Sequence, residues 1–189
     1  MPFLEMRLAD SGEVLFRSPT LMQGYYREPQ LSAQALEGGW LHTGDKGEVD
    51  ADGYLRITGR VKDIFKTSKG KYVAPAPIEG EIAKNTWVEQ VCLMGSNRDQ
   101  PLALIDLSPA ARTQAREQIA ADLLATLERL NAALPAHERL SHLLLVSESW
   151  TVDNGSLTPT LKIRRNVLEA RYAEWVVRLP HQPAVHWED

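Results

Sequence analysis

Gly59-Arg60-Val61-Lys62-Asp63 is the stretch on which the reading of this chain turns. It is short and charged and lies between two β patterns, so it reads as a linker and a candidate domain boundary. Before it the pattern is β-rich. Leu4, Met6 and Leu8 alternate with Glu5 and Arg7 as in a half-buried strand, Ser11-Gly12 makes a turn, and Glu13 to Arg17 reads as a second strand. Pro29 opens a short helix over Gln30 to Leu36, closed by Gly38-Gly39. Gly47-Glu48-Val49 and Tyr54-Leu55-Arg56-Ile57 flank Asp50-Ala51-Asp52-Gly53, whose Asp-Gly supplies the positive φ that a hairpin needs.

After the linker the pattern turns to mixed α and β. Asp63 to Thr67 reads as a short strand, Ser68 to Lys71 as a loop and Pro75 to Lys84 as a helix. Gln90 to Met94 and Leu102 to Leu107 read as strands joined through Asn97-Arg98-Asp99. Ser108-Pro109 offers an N-cap with Pro at the first helical position, and Ile119, Leu123, Leu127, Leu130 and Leu134 then recur at helical spacing up to Pro135. Leu143 to Val146 is a buried strand, Asp153 to Ser156 a turn, and Lys162 to Leu179 a final helix with Leu168, Tyr172, Trp175 and Leu179 on one face. There are no repeats, heptads or low-complexity tracts.

Composition narrows the function classes. Apolar residues make up 43% of the 189 positions and charged ones 24%, enough to bury a core. The net charge of −4 gives no general attraction to nucleic acid or anionic lipid. The single cysteine, Cys92, sits in an apolar run, reads as a small buried hydrophobe and fits a reducing cytoplasm. No apolar run approaches the ~20 residues of a membrane helix, so any membrane contact is expected to be peripheral. The histidines, His42, His137, His142, His181 and His186, show no metal-ligand spacing, and there is no Gly-rich phosphate loop ending in Lys-Ser/Thr.

Three ordered segments say more. They are Gly39-Trp40-Leu41-His42-Thr43-Gly44-Asp45, Gly59 through Pro75, and Leu157-Thr158-Pro159-Thr160-Leu161-Lys162-Ile163-Arg164-Arg165. Their order and wording resemble the late motifs of the acyl-adenylate-forming superfamily. Within it, FKTSKGKYVAPAPIE (65–79) and LTPTLK (157–162) look like the long-chain fatty acid–CoA ligase branch, and GEVLFRSPTLMQGYY (12–26) matches what precedes its TGD motif. The resemblance implies an α+β fold: residues 1–60 as the β-rich end of the adenylation domain, then residues 61–189 as a mobile lid with a short antiparallel sheet and flanking helices.

The same resemblance assigns roles. Asp45 accepts hydrogen bonds from both ribose hydroxyls of ATP, as a carboxylate can toward a vicinal diol; read alone, it is a turn residue bonding its own backbone. Arg60 joins it at the ribose; read alone, it is a surface arginine at a strand end. Lys62 falls at the hinge, which must absorb a large backbone change. Lys162 stabilises charge between the carboxylate and the α-phosphate during adenylation. Many relatives have Gly before this lysine; here it is Leu161. Ser68 to Lys71 lines the pantetheine tunnel, with Gly70 allowing close backbone approach. Lys69 replaces a frequent glycine and Lys71 a common acidic residue. Lys66, Lys69 and Lys71 read equally as partners of coenzyme A phosphates or as a solvated charged loop.

The implied substrates are fatty acid, ATP and coenzyme A. The implied Mg²⁺ site, phosphate-gripping loop and acyl pocket lie upstream of everything in this chain. Without that N-terminal domain the chain is expected to be inactive, and its cut β-rich segment to expose apolar surface and self-associate. Two other readings stand beside this one: an adenylate-forming enzyme for another acid or a carrier-protein acceptor, and a non-catalytic binding or regulatory module.

Overall fold

Alternation and turn chemistry in the first sixty positions produce one antiparallel meander of four strands, β1 (Glu5–Leu8), β2 (Glu13–Arg17), β3 (Leu41–Val49) and β4 (Leu55–Arg60), in that order. The β3–β4 loop is closed by Asp50, whose Oδ1 accepts from the N–H groups of Asp52 at 3.0 Å and Tyr54 at 2.8 Å, while Gly53 takes φ 85°. A short helix, α1 (Pro29–Ala35), lies within the β2–β3 connection. β1 is the edge strand and is exposed along its length, against the half-buried pattern of its sequence. The structure, a computed structural model, describes residues 3–180 and 184–188, and His181 lies outside them. The chain divides into two compact units, Met1–Ile64 and Phe65–Asp189.

The proposed linker is more ordered than a linker. Gly59 and Arg60 finish β4, and Val61–Asp63 forms a single 3₁₀ turn with Lys62 exposed.

In the second unit a two-stranded hairpin, β5 (Phe65–Lys66) and β6 (Tyr72–Val73), leads into α2 (Pro75–Ile82). The central sheet contains β7 (Val88–Met94), β8 (Leu102–Leu107), β9 (His142–Leu145) and β10 (Ala184–Trp187), in the order β10-β9-β8-β7. α3 (Arg116–Ala133) joins β8 to β9, and α4 (Arg165–Val177) precedes β10. The short antiparallel sheet expected here is present as β5–β6, and the larger sheet is mixed: β7 and β8 are antiparallel, whereas β8–β9 and β9–β10 are parallel. The helical crossovers are the reason. Parallel neighbours need a connection long enough to return the chain to the same end of the sheet, and α3 and α4 provide it.

Side chains of alternate parity feed two apolar layers. Leu93, Ala103, Ile105, Leu143 and Leu145 pack with Ile78 and Ile82 of α2 and with the stripe Ile119, Leu123, Leu127 and Leu130 of α3. Cys92, Leu102, Leu104 and Leu144 pack with Leu168, Tyr172 and Val176 of α4. Each such side chain contributes roughly 1.5–3 kcal/mol on burial. The one charged residue in β8, Asp106, is buried but compensated: Arg112 Nη2 donates to Oδ1 at 2.8 Å and the Trp150 N–H to Oδ2 at 3.0 Å.

Two helix starts shift from their sequence expectation. Ser108-Pro109 begins only a 3₁₀ turn (Ala111–Thr113), with Ser108 Oγ accepting from the Ala111 N–H at 3.3 Å, and α3 follows from Arg116. The last helix begins at Arg165, so Lys162 stands in the turn before it.

Candidate functional site

Asp45 and Arg60 are brought together across β3 and β4, where they are register partners, and Arg60 Nε lies 2.9 Å from Asp45 Oδ1 in an ion pair. Both side chains keep substantial exposure, 37% and 54%, so the pair contributes little to stability. It is instead a carboxylate with one oxygen engaged and one open, beside a guanidinium with donors to spare. That combination suits a ligand bearing adjacent hydroxyls. Asp45 does not form the self-bonded turn that its sequence alone suggested; its N–H donates to Thr43 Oγ1 at 3.1 Å, within a strand.

The Thr-Gly-Asp segment is braced by a residue that the sequence reading passed over. Glu13 accepts from the Gly44 N–H at 2.8 Å through Oε1 and lies 3.1 Å from His42 Nδ1 through Oε2. Thr43 Oγ1 donates to Val14 O at 2.7 Å. Gly44 has φ 70°, and a Cβ there would stand 3.0 Å from Arg60 Nη2, so glycine serves both the backbone and the approach of the arginine.

In the second unit, Gly70 and Lys162 stand on different loops, and no hydrogen bond among the described residues joins them. Yet the two loops share one design. In the first, Thr67 N–H donates to Lys71 O at 2.8 Å and Gly70 N–H to Thr67 O at 3.0 Å. The Lys71 N–H donates to Thr67 Oγ1 at 3.2 Å. In the second, Thr158 N–H donates to Lys162 O at 2.8 Å and Leu161 N–H to Thr158 O at 2.8 Å. The Lys162 N–H donates to Thr158 Oγ1 at 3.1 Å. The residue before each lysine is left-handed, Gly70 at φ 77° and Leu161 at φ 60°. Each loop is thus a hairpin tip that presents a lysine from a backbone locked by its own threonine.

Both tips are anchored to the end of β7 or just beyond it. Ser68 N–H donates to Arg98 O at 2.9 Å and Asn97 N–H to Lys66 O at 2.9 Å. The Ser68 hydroxyl bonds Asp99, which with Lys69 at 3.9 Å holds the Asp99 carboxyl below its ordinary value. Lys66 lies 5.7 Å above the Tyr72 ring. Beyond Lys162, Arg165 Nη2 donates to Glu79 Oε1 at 2.8 Å, the same oxygen that accepts the Leu93 N–H at 2.7 Å, and Arg165 also bonds Leu93 O. Glu79 and Arg165 fall within the motif segments, yet neither could be assigned a role from the sequence, since their meaning lies in contacts far along the chain.

Among the described residues, no group of three or more His, Cys, Asp and Glu could hold a metal ion. No helix among them is long and apolar enough to cross a membrane.

Comparison with known proteins gives concordant results. Residues 62–181 match the family described as AMP-binding enzyme C-terminal domain. The long-chain-fatty-acid–CoA ligase FadD15 of Mycobacterium tuberculosis is 32% identical over 190 residues, which cover 92% of this chain and 32% of that protein. Among solved structures, the adenylation domain of a carboxylate reductase from Mycobacterium chelonae shares the fold, with a TM-score of 0.78 at 24% identity over 93% of this chain and 31% of that one. The anthranilate CoA ligase AuaEII, solved in complex with anthranoyl-AMP, gives 0.73 at 29% identity over 93% and 34%. The chain spans about a third of the length of the curated relatives it matches.

Proposed function

This chain belongs to the family of AMP-binding enzyme C-terminal domains, and from that premise we propose that it is the C-terminal portion of a long-chain fatty acid–CoA ligase. The reaction has two halves: fatty acid and ATP give acyl-AMP and pyrophosphate, and coenzyme A then takes the acyl group. The observation that carries this reading is Lys162, an exposed cation on a locked hairpin tip with no carboxylate within ion-pair distance among the described residues. A lysine held ready in this way suits charge that develops only in a transition state.

In this reading Lys162 meets the charge that builds between the fatty acid carboxylate and the α-phosphate. Asp45 and Arg60 receive the ribose hydroxyls, the carboxylate as acceptor and the guanidinium as donor. Residues 1–60 close the adenylation domain and residues 61–189 form its lid. Lys62, exposed in its 3₁₀ turn, is the hinge at which the lid pivots between half-reactions, bringing the Gly70 loop to the site for thioester formation. Mg²⁺ would neutralise charge on the ATP phosphates, and the described residues of this chain offer it no ligand cluster. The phosphate-gripping loop and the acyl pocket belong to upstream sequence, so the 189-residue chain by itself does not form acyl-AMP.

The test is to express the chain joined to its upstream sequence and to measure palmitate- and coenzyme A-dependent AMP formation, with Lys162→Ala alongside. Loss of one preorganised charge contact lowers the adenylation rate by on the order of 10²–10³. An unaffected Lys162→Ala enzyme would sink the lysine assignment. Activity on anthranilate or another aromatic acid in place of palmitate would move the substrate toward that of AuaEII, to which the chain is 29% identical. Fatty acid-dependent ATP cleavage by the 189-residue chain alone would refute the need for upstream sequence.

A further inference from the structure

The strand that carries Asp45 leaves its ladder just where the pair with Arg60 forms. β3 pairs β2 through Leu15↔His42 before this point and through Glu13↔Lys46 after it. A single β2 residue, Val14, therefore stands opposite three of β3, Thr43, Gly44 and Asp45. A bulge of this kind frees backbone groups and re-aims a side chain, which is why bulges collect beside active sites. Side chains take up two of those groups. The Gly44 N–H donates to Glu13 Oε1 at 2.8 Å, and Val14 O accepts from the Thr43 hydroxyl at 2.7 Å. The other Glu13 oxygen lies 3.1 Å from His42 Nδ1, and the Glu13 side chain is only 15% exposed. One carboxylate thus holds the residues on either side of Thr43.

We infer that Glu13 is a positioning residue for nucleotide recognition: through the Gly44 amide it holds the bulge that aims Asp45 and Arg60 at the ribose hydroxyls. The inference rests on the ribose reading above. A short chain of contacts carries it. Glu13 grips Gly44, and Gly44 lies against Arg60, since a Cβ on it would stand 3.0 Å from Nη2. Arg60 in turn meets Asp45 at 2.9 Å, and the Asp45 N–H is tied back to Thr43 Oγ1 at 3.1 Å. Without the carboxylate the Gly44 N–H loses its partner in a part-buried place, and the bulge relaxes toward other hydrogen bonds. Asp45 and Arg60 then leave the geometry that a vicinal diol needs, and a shift of about 1 Å in a positioning group is enough to be felt in the rate. Acting only through Asp45 and Arg60, Glu13 matters only for a nucleotide that has the hydroxyls they read.

The experiment uses the enzyme made with its upstream sequence and reads pyrophosphate release with its preferred acid. The nucleotide is either ATP or 2′,3′-dideoxy-ATP, which lacks both hydroxyls, and the readout is the ratio of the two kcat/KM values. The parent prefers ATP. Glu13→Ala narrows that preference by about tenfold through loss of kcat/KM on ATP, while the value on the dideoxy nucleotide stays within about threefold of the parent. Glu13→Gln, which keeps an acceptor for the Gly44 amide without the charge, narrows it by about threefold and carries the comparison if Glu13→Ala fails to fold. Equal loss on both nucleotides marks a contribution to stability alone, and an unchanged preference marks no contribution; either overturns the inference. Asp45→Ala separates this from the ribose reading. If Asp45→Ala abolishes the preference and the Glu13 variants keep it, the inference fails and the ribose reading stands. If the parent shows no preference, or Asp45→Ala keeps it, the ribose reading itself fails.

Discussion

Leu161 holds a backbone conformation that costs a leucine roughly 1–2 kcal/mol, because its Cβ crowds the adjoining carbonyl at φ 60°. Its counterpart in the sister turn is Gly70, which meets no such penalty. Leu161→Gly is therefore expected to stabilise the second unit by about 0.5–1 kcal/mol after the extra chain entropy of glycine is subtracted, seen as a higher urea midpoint. An unchanged or lower midpoint would show that the 69%-exposed leucine side chain makes up for the strain. The sequence already marked this position, since many relatives carry glycine before the lysine; the structure supplies the reason in a dihedral angle. Other site residues were readable only through the family resemblance. Asp45 and Arg60 lie fifteen positions apart, and what makes them a pair is the β3–β4 register. Glu13 could not be read at all, because its partner amide at Gly44 lies 31 positions away and a strand glutamate carries no local sign of it.

Among the elements, the joint between α2, β7 and α4 carries the largest consequence. Glu79 and Arg165 are only 17% and 20% exposed, and the glutamate also satisfies the Leu93 amide. Removing the charge leaves a partly buried guanidinium without its counter-ion. Glu79→Gln is expected to cost about 1–3 kcal/mol in urea unfolding. The double variant with Arg165→Met should lose clearly less than the sum of the single losses, because the two residues share one interaction; strict additivity would mean that they act separately. At this scale the sequence was legible where a periodic pattern was long and one-sided. The stripe of α3 and the apolar runs of β8 and β9 were found. What it could not give was strand direction. A strand buried on both faces reads as a continuous apolar run whichever way its neighbour points, so the parallel pairing of β8 with β9 left no trace. β10 was missed for a related reason, being short and half-buried without clear alternation.

Across the whole second unit, pH should act first where β10 meets β9. His186 Nε2 and His142 Nδ1 lie 3.2 Å apart. Burial, followed by the charge of His186 and a contribution from Arg98, pushes the His142 imidazole below its ordinary value, and burial does the same to His186. Both rings are thus kept neutral in the fold, whereas in the unfolded chain they take up protons near pH ~6.5. Their contribution to stability is complete above that pH and is lost as pH falls toward the depressed folded values. Urea midpoints should drop between about pH 7.5 and about pH 5.5, and less so in His186→Gln. A midpoint flat across that window would exclude the pair as its origin. Glu5, Glu81 and Asp99, held below their ordinary values by hydrogen bonds from Arg17, Lys84 and Ser68, act only in a more acidic range.

The position of β10 also bears on how the protein is made. It is the last of the described strands to leave the ribosome, yet it is the strand that closes the open side of β9. At typical elongation rates the stretch between them takes on the order of seconds to synthesise. Through that interval β9 presents a row of unpaired amides and carbonyls to the crowded cell, a template for stray strand pairing that vanishes when β10 docks.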